Sequence, residues 1–174
     1  MSFIGRALRG RRAGAQWRVA EDPRFSAVPR TIVVRSSGFV DDGPLPDGPL
    51  SPPLEWSDVP DGTAEIAIIV EDVDVPLPRP VTHAVAYAID PQTRSLSAGE
   101  LAPDRMTLGK GAFGTRRFVA PSPIPGHGPH RYVFTVLALD YVPHFDQPPT
   151  RGRLLDAAAG HVIALGEITG TRER

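Results

Sequence analysis

The chain contains no cysteine, which excludes disulfide frameworks and thiolate metal sites and suits a reducing compartment. It has no uninterrupted apolar run of membrane-spanning length, and Met1 to Ala20 lacks the apolar core of a secretory signal. A soluble, cytoplasmic protein is the expectation. Acidic residues are missing before Glu21, where Arg6, Arg9, Arg11, Arg12 and Arg18 are the only charged side chains. The formal charge of −1 therefore hides an asymmetry, because the rest of the chain holds 14 Lys and Arg against 20 Asp and Glu, a formal −6. Such an acidic body is a poor surface for phosphate backbones, so nucleic acid is not an expected partner.

What the chain has in excess is proline, at 20 residues, and glycine, at 17, which argues for many turns and against helical bundles. Its 174 residues with 41% apolar content suit one domain around one continuous core. Residues 1–29 read as a basic N-terminal arm and connector, and residues 30–174 as the domain. In Met1 to Trp17, Phe3, Ile4, Ala7 and Leu8 recur at helix-like spacing between arginines. So short an apolar face suits packing on the body or on a second subunit better than a membrane surface. Pro23 to Pro29 reads as a connector.

Strand signals occupy Arg30 to Ser36, Ala64 to Glu71, Val81 to Ile89 and His130 to Asp140, the last two apolar on both faces. On Val81 to Ile89, strict alternation puts Val85, Tyr87 and Ile89 on the side of His83. Proline-rich loops lie at Gly38 to Pro53, Asp72 to Pro80 and Ala120 to Pro129. One helix is expected at Arg151 to Leu165, from the apolar stripe Leu154, Leu155, Ala158, Val162 and Leu165, with Thr150 as its cap and Gly166 as its stop. Glu167 to Thr171 reads as a short closing strand.

Alternation along Ala64 to Glu71 aligns Asp72 with Ile66, Ile68 and Val70, so this acid ends a core-facing row, and Asp74 comes two positions later. His83 opens one buried strand, and His130 opens another with Tyr132 on its side. If the strands are neighbours, two carboxylates, two imidazoles and a phenol converge at one sheet end, a set suited to a zwitterionic or phosphate-bearing ligand. Taken singly, each acid would more often cap a turn and each histidine sit hydrogen-bonded in the core; the case rests on the group. Metal or general acid–base catalysis lacks its usual patterns, since there is no H-x-x-x-H pair, G-x-S-x-G elbow or phosphate loop, and His127 and His130 fall on a Pro/Gly loop. No metal, catalytic residue or cofactor is assigned.

Together, Ser51-Pro52-Pro53-Leu54-Glu55-Trp56, Glu71-Asp72-Val73-Asp74-Val75-Pro76, Thr82-His83 and Gly126-His127-Gly128-Pro129-His130-Arg131-Tyr132-Val133-Phe134 resemble the ordered signatures of the phosphatidylethanolamine-binding proteins, nearest to their bacterial, Raf-kinase-inhibitor-like branch. The resemblance runs from about Thr31 to Arg172. It implies an all-β dominated sandwich with a large antiparallel sheet, a smaller second sheet and a C-terminal helix. It also implies an anion pocket to which Asp72, His83, His130 and Tyr132 correspond, with Asp74, Pro121, Pro123 and Arg131 as scaffold or rim. Members bind phospholipid head groups, phosphate or acetate, and some regulate kinases or inhibit proteases. The rim departs from the family pattern: Arg117 to Ile124 lacks two glycines and a tyrosine hydroxyl, and Ile124 replaces a proline.

The implied function is non-enzymatic binding of a small anion or phosphorylated head group. The alternative is a regulator that binds a protein partner through the arm and the loop at Asp41 to Pro49, with a hydrolase third. A homodimer would match the commonest soluble assembly. Nearby carboxylates should favour charged imidazoles, so anion binding is expected to weaken as pH rises through the histidine range.

Overall fold

The computed structural model describes residues 3–174, so Met1 and Ser2 of the arm lie outside the described residues. In chain order the elements are α1 (Phe3–Leu8), β1 (Val33–Arg35), β2 (Gly43–Pro44), β3 (Leu54–Ser57), β4 (Glu65–Asp72), β5 (Val81–Ile89), β6 (Ser95–Leu96), β7 (His130–Leu139), α2 (Arg151–Ala158) and β8 (Val162–Arg172). Single 3-10 turns stand at Ala15–Trp17, Val19–Glu21, Pro23–Phe25 and Ala112–Gly114. A three-stranded sheet runs β1-β3-β6 and a five-stranded sheet runs β2-β8-β7-β4-β5. The larger sheet is antiparallel except at its edge, where β2 runs parallel to β8.

Period-two apolar patterning decides how these sheets stack. Ile66, Ile68 and Val70 of β4 and Phe134 and Val136 of β7 face Val34, Leu54, Trp56 and Leu96 of the small sheet. The alternate residues Ala67, Ile69, Leu137 and Leu139 face the other way and are covered by Leu154, Leu155 and Ala158 of α2. Fully burying a leucine of this kind is worth about 2 kcal/mol. Val19, Ala20 and Phe25 complete this second core, so the segment read as arm and connector supplies three of its buried residues.

The helix is shorter than its apolar stripe suggests. α2 ends at Ala158; Ala159 leaves helical space and Gly160 takes φ +81°, the left-handed conformation that glycine accepts at a helix end. Val162 and Leu165 continue the i, i+3/i+4 spacing but lie in β8, an 11-residue strand that includes Gly166. The expected closing strand at Glu167 to Thr171 is the second half of β8; its first half escapes pattern reading because Gly166 and Gly170 leave gaps in the alternation. Both gaps are forced by close approach, since a Cβ would lie 2.0 Å from the Ile32 carbonyl at 166 and 2.3 Å from the Leu45 side chain at 170. Gly152, by contrast, is exposed on α2 with nothing nearer its Cβ position than Thr150 at 4.0 Å. Gly152→Ala should therefore raise stability by up to about 1 kcal/mol, read as a higher urea midpoint at unchanged slope.

One further expectation is corrected. The arm packs on the body, but its apolar residues do not do the packing: Phe3 is 81% and Ile4 63% exposed, and Gly5 is the buried residue of α1. The loop at Asp41 to Pro49 is largely exposed and is held to the body by β2, by buried Leu45 and by an Arg172–Asp47 ion pair at 2.6 Å.

Candidate functional site

Cross-strand pairing builds one end of the large sheet into a pocket. Asp72, the last residue of β4, pairs with Tyr132 of β7 on one side and Val81 of β5 on the other. His83 reaches the same place by a different route. Val70 pairs with Ala84 and Glu71 with Thr82, so β5 carries one extra residue, His83, at a β-bulge. The bulge reverses the facing of the residues that follow it as far as a second irregularity before Ile89: Ala84 and Ala86 join the core between the sheets, while Val85 joins the core beneath α2. Alternation had put Val85 and His83 on one side, whereas the structure aims His83 at Tyr132, with ring centroids 5.1 Å apart and edge to face.

The cavity has a volume of about 310 Å³ and takes its polar floor from Asp72, His83, His130 and Tyr132, all buried. Val75, Pro76, Val81 and Val119 supply apolar walls, and Pro123 and Ile124 close it from the altered rim segment. Pro121 does not line it. Arg131 turns away to Asp74, and Asp74 turns away from the cavity with it: the Asp74 carboxylate accepts from the Arg131 backbone N–H and Nε at 2.8 Å and from its Nη2 at 2.9 Å. Arg12 of the arm lies 2.9 Å from the same carboxylate.

Each floor group has a definite hydrogen-bonding state. His83 donates from Nδ1 to the Val119 carbonyl at 2.5 Å, which leaves Nε2 for the cavity. Burial pushes the His83 pKa down and outweighs the opposing effects of that bond and of the Asp72 charge, so the ring is neutral and Nε2 offers a lone pair. The expected charging of this imidazole by its carboxylate neighbour is thus overturned. Burial, reinforced by Asp72, pushes the Tyr132 hydroxyl up, and Tyr132 stays protonated. Its oxygen is buried and makes no fully formed hydrogen bond, although the Asp72 carboxylate stands near enough to interact with it. Each oxygen of Asp72 accepts one bond, one from the Asp74 backbone N–H at 2.9 Å and the other from His130 Nδ1 at 2.8 Å.

His127 is a residue the sequence pattern did not single out for the site. It is buried, with Nδ1 2.8 Å from His130 Nε2 and Nε2 2.9 and 3.0 Å from the carbonyl oxygens of Leu8 and Arg11. Its place on a Pro/Gly loop argued only against a helix-borne metal pair; three-residue spacing from His130 was the available signal. Leu77 and Phe113 at the mouth were also missed. Phe113 is 96% exposed and held at φ +56°, a conformation a bulky side chain seldom adopts.

Residues 35–173 match the family model described as phosphatidylethanolamine-binding protein. The chain belongs to this family. Among solved structures, the phosphatidylethanolamine-binding protein homolog of Chlamydia trachomatis superposes with TM-score 0.76 at 32% identity, covering 83% of this chain and 99% of that one. Escherichia coli YbcL, described as a member of the mammalian family, gives TM-score 0.76 at 26% identity with the same coverage. A UPF0098 protein of Pyrococcus horikoshii is 35% identical over 130 residues, 72% of this chain and 65% of the relative, so the chain spans slightly less than two thirds of that relative. The family domain as matched starts at residue 35, which leaves the arm outside it. No helix among the described residues is long and apolar enough to cross a membrane.

Proposed function

We propose that this phosphatidylethanolamine-binding family member is a non-enzymatic binding protein whose pocket takes a small anion or a phosphorylated head group, held by His83 and Tyr132 and backed by Asp72 and His130. The observation that carries this reading is the buried Tyr132 hydroxyl, which makes no fully formed hydrogen bond, with only the Asp72 carboxylate near it, and stands beside the free Nε2 of His83 in a largely apolar cavity. A buried donor left unpaired costs free energy, and a ligand oxygen would relieve that cost.

The neutral state of His83 sharpens the ligand. An acceptor nitrogen beside a hydroxyl donor suits an anion that still carries a proton, as inorganic phosphate or a phosphomonoester monoanion does: its P–OH donates to His83 Nε2 and a charged oxygen accepts from Tyr132. Binding of a phosphomonoester should weaken as pH rises through about 6 to 7, because it loses its one P–OH proton, whereas inorganic phosphate keeps a P–OH as hydrogen phosphate. The direction is the one expected from the sequence, but the proton belongs to the ligand rather than to His83.

Titration calorimetry with inorganic phosphate, phosphoethanolamine and sulfate tests this. Sulfate has no proton to donate at these pH values and should bind about tenfold more weakly than phosphate. Tyr132→Phe should cost about tenfold in phosphate affinity while leaving thermal stability equal or higher, since it deletes an unpaired buried hydroxyl. Absent phosphate binding, or phosphoethanolamine binding that does not weaken as pH rises, sinks the proposal.

A further inference from the structure

The arm lies outside the matched family domain, yet it is fastened to both loops that wall the pocket. On the loop after β4, Ala13 and Gly14 donate backbone hydrogen bonds to the carbonyls of Val75 and Val73 at 2.8 and 2.9 Å, and Arg12 pairs with Asp74. On the loop before β7, Arg9 Nε and Arg12 Nη1 donate to the carbonyls of Gly126 and Pro129, each at 3.0 Å. Gly5 sits so close to this second loop that a Cβ would lie 2.1 Å from the Pro125 carbonyl. Between these fastenings the carbonyls of Leu8 and Arg11 converge on His127 Nε2.

Two carbonyl oxygens can only accept, so His127 must carry its proton on Nε2. In a neutral ring that leaves Nδ1 as a lone pair facing His130 Nε2, and His130 must donate there. On its other side His130 faces the Asp72 carboxylate, another acceptor, and must donate from Nδ1 as well. Three buried contacts thus need three protons, one more than two neutral rings possess. With one proton fewer, two lone pairs would oppose each other at 2.8 Å in a buried site. Imidazole is more basic than carboxylate, so the additional proton resides on the ring pair.

We propose that His127 is a positioning residue for the anion pocket: locked by the arm carbonyls of Leu8 and Arg11, it obliges the His127–His130 pair to hold an imidazolium beside Asp72. The floor behind His83 and Tyr132 is then electrically neutral instead of anionic, which removes a repulsion that an anionic ligand would otherwise meet. The consequence for affinity rests on the pocket reading above; the protonation pattern does not. The arm is the deciding part. With its carbonyls withdrawn, His127 could carry its proton on Nδ1 and donate to His130 Nε2, and two neutral rings would satisfy every remaining contact.

Nitrogen-15 NMR of the histidine rings in the full chain at pH 7.5, without ligand, reads the pattern directly. Three ring protons are expected across His127 and His130, and two neutral rings overturn the inference even if phosphate binds. Phosphate calorimetry reads the consequence. His127→Leu should weaken phosphate binding about tenfold and leave His130 neutral. His127→Gln, whose amide can donate to the arm carbonyls and accept from His130 Nε2, should restore both. Gly5→Val, which cannot share space with the Pro125 carbonyl, should expose the arm to trypsin and reproduce the leucine variant's loss with His127 intact. Wild-type phosphate affinity in His127→Leu, or in a Gly5→Val protein whose arm is cleaved, overturns the coupling. A wild-type protein that fails to bind phosphate defeats the pocket reading instead, and the ring nitrogens then decide this one.

Discussion

Asp74→Ala should cost about 3 kcal/mol in folding stability at neutral pH, the range for breaking a buried, multiply bonded carboxylate. The acid is buried, and it joins the loop after β4 to the start of β7 and to the arm, through Arg131 and Arg12. Both arginines are partly exposed and can be rehydrated in the variant; the Arg131 backbone N–H loses its partner. Burial by itself would raise the carboxyl pKa, but the hydrogen bonds from Arg131 and Arg12 outweigh it and hold Asp74 at about 2, against an ordinary 3.8. The sign comes from that depression. Stability from Asp74 is fully present above pH 3.8 and is lost as pH falls through about 2, an amount of about 2 kcal/mol. Urea melts of both proteins from pH 7 to pH 2 should show the gap narrowing in acid. Comparing the two proteins also cancels the opposite pull of Glu65 and Glu71, whose pKa values burial pushes up. A gap that stays constant with pH would show that the pairing of the charged carboxylate is not what stabilises this corner.

Gly166→Val should be at least as damaging, by about 3 kcal/mol or more, because overpacking against backbone cannot be relieved by a side-chain rotation. The nearest atom to the new Cβ is the Ile32 carbonyl oxygen at 2.0 Å, with the Ile32 carbonyl carbon at 2.8 Å. The segment carrying that carbonyl is itself bonded to β8, Leu165 N–H donating to Pro29 at 3.0 Å and Ile32 N–H to Leu165 at 3.2 Å. To admit the side chain, Pro29 to Ile32 must lift off the large sheet, pulling buried Ile32 from the core and disturbing the entry to β1. Loss of the cooperative urea transition, or a midpoint far below wild type, is the expected result. A variant with wild-type stability would show that the two backbones can separate here at little cost. Gly152→Ala is the natural control: the same residue type, in open space on a helix, should move stability the other way.

These two glycines illustrate what local pattern can convey. β4, β5 and β7 were legible because β-branched and other apolar residues run through eight to ten positions, and burial of both faces is implied where apolar residues occupy both parities, with polar residues mostly at the strand ends. Of β8 only Glu167 to Thr171 was legible, since the alternation is interrupted at Gly166, where another backbone crosses it, and the first apolar residues of the strand extend the stripe of α2. No local signal separates a glycine needed for space from one that ends a helix.

The four polar floor residues of the pocket were legible in the sequence. Asp72 had to end a core-facing row because Ile66, Ile68 and Val70 precede it at period two, and His130 and Tyr132 had to share a face for the same reason. What those groups do in the pocket was decided only by tertiary structure. A bulge that no residue announces turns His83 toward Tyr132 and sends Val85 to the opposite core. Burial, a property of the assembled walls, makes His83 neutral where its carboxylate neighbour would have charged it. His127 acquires a role because the arm, more than 110 residues away in sequence, lays two carbonyls against its ring. Hydrogen-bonding state depends on which atoms end up within about 3 Å and on how much water is left between them, and neither is a property of sequence neighbours.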